Sequence, residues 1–308
     1  MIQEKIFGIL GEKNSEMPLL HSVIESCKGQ LDGVIVSDNS DRPEPKEELR
    51  KMKEEFGGFL EIIWNEIDLG NSVAFNDATK LAIEHGATWT VTLTDDSPMK
   101  PDFIKTMLAA YNKLSEEQKK SIGLITPNLL TIRGYVHDPQ LPAHITEFGG
   151  TSEGQMVKTS VFPIVGFYNA GFFMDGFDGE FCHRVRAKGF KNLMVPHAIC
   201  ETRWGHPDMR KFFGKTILIP NYGAYRYYFA SRNFMYQYLH EFRLFVLQNP
   251  EWYYGIWAIL IPRYMIKMVL FEKEKGKKLR AYFYGTWHGI LGRLGPMPEN
   301  VRASLKHR

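Results

Sequence analysis

Only three cysteines occur in 308 residues, Cys27, Cys182 and Cys200, and no two of them form a CxxC pair. That scarcity excludes a disulfide framework and a cysteine-based zinc site, and it suits a reducing compartment. Long apolar runs are missing too. The opening MIQEKIFGIL is not apolar for long enough to be a signal peptide and reads as an immediate first strand. The longest apolar stretch, EWYYGIWAILIPRYMIKMVLF (251 to 271), is interrupted by Pro262, Arg263 and Lys267. A spanning helix needs about 20 mostly apolar residues, and central charges are costly there, so this stretch is expected to lie at an interface. Internal repeats and low-complexity segments are absent, and with 44% hydrophobic and 24% charged residues the chain is ordinary globular stock.

What is present is unevenly placed. The net charge is +3, yet from residue 205 onward there are 17 Lys and Arg against 6 Asp and Glu, a balance of +11 that leaves −8 for the first 204 residues. The same tail holds 22 of the 41 Phe, Trp and Tyr residues. An acidic body and a basic, aromatic tail are expected to meet different partners. Within the tail, FEKEKGKKLR (271 to 280) sets five basic residues beside the aromatic surface, a combination suited to resting on anionic lipid. An aromatic helical cap packed on the body is the competing reading. No nucleic-acid partner is expected.

The first half alternates two periodicities. KIFGIL (5 to 10), DGVIVS (32 to 37), FLEIIW (59 to 64) and TWTVTL (88 to 93) are short and β-rich. Between them MPLLHSVIESC (17 to 27), EPKEELRKMKEEF (44 to 56) and SVAFNDATKLAIEHG (72 to 86) carry apolar residues at three- and four-residue steps. This predicts an α/β fold, a mostly parallel sheet flanked by helices, in which ligands collect at the carboxyl ends of the strands. A helix is expected from about Asp102 to Asn112, then a strand IGLITP (122 to 127) and a less regular stretch to about 165. In the segment 169 to 198, GEFCHRVRAKG reads as a helix stopped by Gly189, and KNLMVP as a strand. In the tail, 222 to 247 and 251 to 271 are of helix length.

Three polar clusters fall at predicted strand ends: Asp38 and Asn39 in VSDNS, the turn opening LGNSVAFN (69 to 76), and Asp95 and Asp96 in TLTDDSPMKPDF. Each has a local explanation. Ser97 or Asp96 could cap a helix with Pro98 in its first turn, and the LGNS turn and Asp178 could cap helices of their own. Paired carboxylates at a strand end also suit a hard cation such as Mg²⁺ or Mn²⁺ carrying substrate phosphates. A triphosphate-binding nucleotidyltransferase would want a glycine-rich, basic loop after the first strand, and LGEKNSE (10 to 16) is too acidic.

Taken in order, VSDNS, N-x-x-x-LGNSVAFN, TLTDDSPMKPDF and FMDGFDGEFCHRVRAKGF resemble an inverting family 2 glycosyltransferase of the GT-A fold, near the rhamnosyltransferase and galactofuranosyltransferase branches. The resemblance covers about residues 5 to 205 and continues into YRYYFASRN and GTWHGILGRLG. It implies a nucleotide-sugar-binding and catalytic domain over 1–205 and a helical, acceptor- or membrane-proximal extension over 206–308. Asp38 then resembles the acid at the nucleotide base, with Asn39 and Asn76 lining the same site. Asp95 resembles the acid toward ribose and Asp96 the metal ligand. Asp178 occupies the place of the general base, and Asp175 is the competing candidate.

Two departures stand out. The commoner Asp-x-Asp motif would place an acid where this chain has Thr94, and the histidine that often completes the metal site would fall where it has Thr202. His206 is the nearest candidate. The implied activity is inverting transfer from a UDP- or dTDP-sugar to a saccharide or lipid-linked acceptor, for cell-surface polysaccharide or glycolipid, dependent on Mn²⁺ or Mg²⁺. The expected place is the cytoplasm, peripheral on the inner face of the cell membrane. A non-catalytic nucleotide-sugar or glycan-binding module with a degenerate metal site is the alternative.

Overall fold

The computed structural model describes residues 4–147, 149, 152–202, 207–212, 214–241, 244 and 263–306. Residues 1–170 and 184–202 form one compact unit, and 171–183 with 203–308 form a second.

The first unit is built on a nine-stranded sheet. Strands β1 (Ile6–Glu12), β2 (Gly33–Asp38), β3 (Leu60–Trp64) and β4 (Trp89–Thr92) pair in parallel in the order β3-β2-β1-β4. The alternation read from the sequence places all four. Helices α1 (Met17–Cys27), α2 (Pro43–Phe56) and α3 (Asn71–Glu84) connect them. All six residues of β2 are buried, as expected of a parallel strand covered on both faces. Leu10, Leu20, Ile24, Val36, Leu49 and Trp89 lie in the core between sheet and helices. The sheet continues through β8 (Met156–Lys158), β5 (Ile122–Thr131), β9 (Lys191–Glu201) and β7 (His144–Thr146), with β6 (Gly134–Tyr135) on β5. β8 is antiparallel to both of its neighbours, whereas β9 is parallel to β5. Six strands therefore share one direction, and β6, β7 and β8 oppose them, so the sheet is mostly parallel.

Two local expectations fail. Ser97 and Pro98 do not open a helix: α4 runs Phe103–Asn112, and 97–100 lies in neither helix nor strand. The acids are thus held in a turn rather than tied into a helix end. The stretch from 128 to 165 is also more ordered than expected, since β8 is inserted between β4 and β5. Three residues are too short to display a period of two. Helices α5 (Glu116–Ser121), with a Ser115 capping box, and α6 (Phe162–Val165) complete the connections, and α7 runs Phe177–Ala187. Asp178 therefore lies in the first turn of α7 rather than at its cap.

The second unit is not purely helical. It contains a hairpin, β10 (Asp208–Phe212) and β11 (Lys215–Ile219), turning at Gly214, whose φ is 74°. Helix α8 (Ala224–His240) packs on the helix Lys275–Ile290, and the helices Arg263–Phe271 and Glu299–Lys306 accompany them. The expected segment 251 to 262 lies outside the described residues. Gly285 and Gly289 permit the close approach: a Cβ at Gly285 would fall 2.2 Å from the Tyr228 carbonyl oxygen, and one at Gly289 2.4 Å from that of Arg232.

Candidate active site

At the carboxyl edge of the first unit, each strand delivers its last residues into the turn before a helix. β1 ends at Glu12 and β2 at Asp38, which face each other in the parallel register. Both side chains are wholly buried. Glu12 Oε1 accepts from the Ser15 amide at 2.6 Å, and Oε2 from the Ser40 hydroxyl at 2.6 Å. Asp38 Oδ1 accepts from the Ser40 amide at 2.9 Å, while Oδ2 is buried without a hydrogen-bond partner. Lys46 Nζ stands 3.9 Å from it. Burial pushes the Glu12 carboxyl up to about 7, helped by the neighbouring Asp38 carboxyl and opposed by Ser40 and Ser15. Glu12 escaped the sequence reading because a lone acid before lysine looks like an ordinary loop entry; its partner is visible only through the pairing of β1 with β2.

Asn39 and Asn76, expected to line the nucleotide site, turn inward. Asn39 Oδ1 accepts from Asn65 Nδ2 at 3.1 Å and from the Leu69 amide at 3.2 Å, and its Nδ2 donates to the Gly70 carbonyl at 3.3 Å. It therefore shapes the turn that enters α3, where Gly70 adopts φ 81°, a left-handed conformation that glycine takes without a Cβ penalty. Asn76 clamps the backbone of Tyr168, donating to its carbonyl and accepting from its amide, both at 2.8 Å. Arg184 holds the same loop by donating to the carbonyls of Val165 and Phe167, both at 2.8 Å. A lone amide in a sequence does not reveal which way it is spent.

Asp95 and Asp96 occupy the turn after β4 and are half-buried. The Ser15 hydroxyl donates to Asp95, linking this turn to the one after β1. Burial raises the Asp95 carboxyl, Ser15 opposes the shift, and the neighbouring charge of Asp96 adds to it. Asp96 Oδ1 accepts from the Ser97 hydroxyl at 3.0 Å, and no described cationic side chain pairs with it. The Thr94 hydroxyl, where an Asp-x-Asp motif would carry its first acid, is buried without a partner. Burial pushes the Cys200 thiol up to about 12, with the negative charges of Glu153, Asp96 and Glu201 adding to the effect. Negative charge thus gathers at this end of the sheet.

The arrangement fits one type of metal site. Among the described residues, no three His, Cys, Asp or Glu side chains converge as a cation cage. Thr202 is buried and has no imidazole to offer, and His206 lies outside the described residues. The uncompensated Asp96 carboxylate does fit a hard cation carried mainly by phosphate oxygens, since Mg²⁺ is commonly held by one or two carboxylates together with substrate phosphates and water.

In the second unit, residues 171–176 form a tightly held loop with positive φ at Phe173 (65°), Asp175 (55°) and Gly176 (78°). Non-glycine residues rarely hold such angles unless the surroundings impose them. Here Arg232 and Asn233 do so. Arg232 Nη2 donates to the carbonyls of Gly171 at 3.1 Å and Phe172 at 2.8 Å, and Asn233 Nδ2 to those of Phe172, Met174 and Asp175 at 2.9, 2.7 and 2.7 Å. Asp175 Oδ1 accepts from Arg226 Nε at 2.9 Å, its Oδ2 is buried without a partner, and burial pushes the carboxyl up to about 6 against the pull of Arg226. Asp178 is half-buried, and its Oδ1 accepts from the Gly179 amide at 2.9 Å. Of the two acids, Asp175 is closed by a guanidinium, while Asp178 bonds the amide of the next residue.

The family model "Glycosyl transferase family 2" matches residues 14–178. The dTDP-rhamnosyl transferase RfbF of Shigella flexneri is 26% identical over 249 residues, covering 75% of this chain and 79% of that protein. The low-salt glycan biosynthesis hexosyltransferase Agl10 of Haloferax volcanii is 28% identical over 146 residues, covering 47% and 43%. Among solved structures, the mannosyltransferase PcManGT from Pyrobaculum calidifontis, in complex with GDP-Man and Mn²⁺, superposes with a TM-score of 0.55 at 12% identity, covering 98% of this chain and 79% of that one. S. aureus TarS 1–349 with UDP gives 0.51 at 14% identity, covering 64% and 60%. The chain therefore spans less than half of Agl10 and 60% of that TarS chain. At these identities the solved structures speak to the fold alone.

Proposed function

The chain belongs to glycosyl transferase family 2, and from that premise we propose that it moves a sugar from a nucleoside diphosphate sugar to a hydroxyl of a saccharide or lipid-linked glycan, inverting the anomeric carbon. The observation that carries the reading is the acidic turn after β4, within the matched span, where Asp96 has no described cation to balance it. A dTDP-rhamnosyl transferase among the relatives and UDP in the TarS structure support a UDP- or dTDP-sugar donor.

In this reading Asp38 serves the base end of the nucleotide and Asp95 the ribose, while Asn39 and Asn76 hold the turns that carry the site. Asp96 and His206 are the proposed holders of Mn²⁺ or Mg²⁺, which when bound offsets the charge growing on the leaving diphosphate. Asp178 takes the proton from the acceptor hydroxyl as that oxygen bonds the anomeric carbon. The bond from that carbon to the diphosphate oxygen breaks on the opposite face. Asp175, closed by Arg226, orients the loop.

The reading extends to location, peripheral on the cytoplasmic face of a membrane, with residues 206–308 toward the acceptor or lipid. Among the described residues no helix is long and apolar enough to cross a membrane. Phe283 and Trp287, each 56% exposed, with Ile290 and the C-cap residue Leu291 form an outward face along the helix Lys275–Ile290 that supports such contact.

Incubation with a panel of UDP-, dTDP- and GDP-sugars and Mn²⁺ tests the function. Release of nucleoside diphosphate from at least one donor, suppressed by EDTA, is the expected result. Nucleotide binding without release from any donor, with or without acceptor, would instead mark a binding module.

A further inference from the structure

Glu12 and Asp38 are two carboxyl groups, both 0% exposed, set directly opposite one another on adjacent strands. Their surroundings hold very little positive charge. Lys46 Nζ, 3.9 Å from Asp38, donates to the Asn65 carbonyl at 2.9 Å. Lys13 pairs with Asp68. Arg42 Nη2 donates to the Asn14 carbonyl at 3.1 Å. The other charged neighbours among the described residues are acids: Asp95 on the Ser15 hydroxyl, Glu16 beside Ser15, and Asp41, which accepts from Asn14 Nδ2. With one described cation at the edge of ion-pairing distance, ionising Glu12 beside the buried Asp38 is costly, because burial removes the solvation that would support its charge. Asp38 Oδ2 also lacks a donor. A single proton resting between the two acids removes both difficulties.

The pair sits where two loops meet. Through Ser40 it holds the turn after β2, whose Ser40 Oγ also accepts from the Asn14 amide at 3.0 Å. Through the Ser15 amide it holds the loop after β1, and Ser15 in turn bonds Asp95. We propose that Glu12 is a positioning residue that shares one proton with Asp38, and that this shared proton ties together the two loops framing the donor nucleotide. The proposal rests on the donor-site reading above. Loss of the proton leaves two adjacent buried charges, and the loops part to let water reach them.

The signs follow from linkage. Glu12 titrates at about 7 rather than at its ordinary 4.5, so its stabilising effect is fully present below 4.5 and is lost as pH rises through 7. The folded-to-unfolded ratio of the native protein should fall about tenfold between pH 6 and 8.5 relative to Glu12→Gln, whose amide donates at every pH. If only the protonated pair binds, the affinity for UDP or dTDP in Mg²⁺ should weaken about 25-fold between pH 6.5 and 8.5, and the Glu12→Gln profile should be flat by comparison. Asp38→Asn, the reciprocal change, should flatten the stability profile in the same way. Denaturant unfolding and calorimetric titration read the two arms. Parallel stability profiles for the native protein and both variants would overturn the shared proton. If neither nucleotide binds at any pH while the stability contrast persists, the donor-site reading and the pair's role in it fail together, but the shared proton stands.

Discussion

The helical unit and the edge of the sheet treat buried charge in opposite ways. In the helical unit, Glu272 and Lys278 are almost wholly buried and close on each other at 2.6 Å, and the Tyr227 hydroxyl adds a second bond to Glu272 at 2.6 Å. Arg232, wholly buried, spends its donors on backbone carbonyls and on Asn233. At the ends of β1, β2 and β4, by contrast, Glu12, Asp38, Asp95 and Asp96 gather with Lys46 as the one described cation within 4 Å of any of them. Leaving charge uncompensated costs stability, and a protein retains such an arrangement where something else supplies the missing counter-charge. The contrast is between charges closed inside the fold and acids that gather with little counter-charge among the described residues.

It also alters the account of the tail. Two of the five basic residues in 271–280 are already engaged within the protein, Lys278 with Glu272 and Lys277 with Glu274. Lipid attraction there would fall to Lys273, Lys275 and Arg280, all exposed. Arg280 also donates to the Ser304 carbonyl at 2.8 Å.

The sharpest way to break the comparison is to open a closed charge. Lys278→Met strands the Glu272 carboxylate in the core and is expected to cost about 3–5 kcal/mol, read by denaturant unfolding. Adding Glu272→Gln should recover most of that loss. A single variant within about 1 kcal/mol of the native protein would show that the pair is not closed in solution.

A smaller effect is expected at the outward face of the same helix. Replacing Phe283 and Trp287 together by Ser removes apolar area without touching the core, and should weaken co-sedimentation with anionic vesicles about tenfold. High salt should weaken the native protein's binding as well, because headgroup attraction is screened within about 8–10 Å. Absence of vesicle binding at low salt would leave this face without a lipid role.

Much of the sheet was legible because parallel strands and their helices write different periods. β1 to β4 and α1 to α3 fall within two residues of their expected bounds. The β10–β11 hairpin was missed because MRKFFGKTILI has no clean alternation, and β8 because three residues hold no period. The acids were legible as types at strand ends, but their chemistry was not. Asn39 and Asn76 look like ligand-facing amides, yet Asn39 bonds Asn65 and the backbone of Leu69 and Gly70, and Asn76 the backbone of Tyr168, while Glu12 matters only through a register that brings residues 26 positions apart face to face. The closing motif YRYYFASRN was visible as a pattern. Its use, Arg232 and Asn233 fastening the loop 171–175, depends on contacts about 60 residues apart in sequence and is not written in local spacing.

The most direct test of the account sets Asp178→Asn beside Asp175→Asn, with the rate constant for transfer and the donor dissociation constant measured for each. Asp178→Asn keeps the size of the side chain and its bond to the Gly179 amide while removing the proton acceptor. It should lower kcat by about 10²- to 10⁴-fold with little change in donor affinity. Asp175→Asn should disturb transfer less, since the acid it replaces is already held by Arg226. Near-native transfer by Asp178→Asn with loss in Asp175→Asn would move the base to the neighbouring acid, and near-native transfer by both would contradict inverting general-base catalysis in this protein.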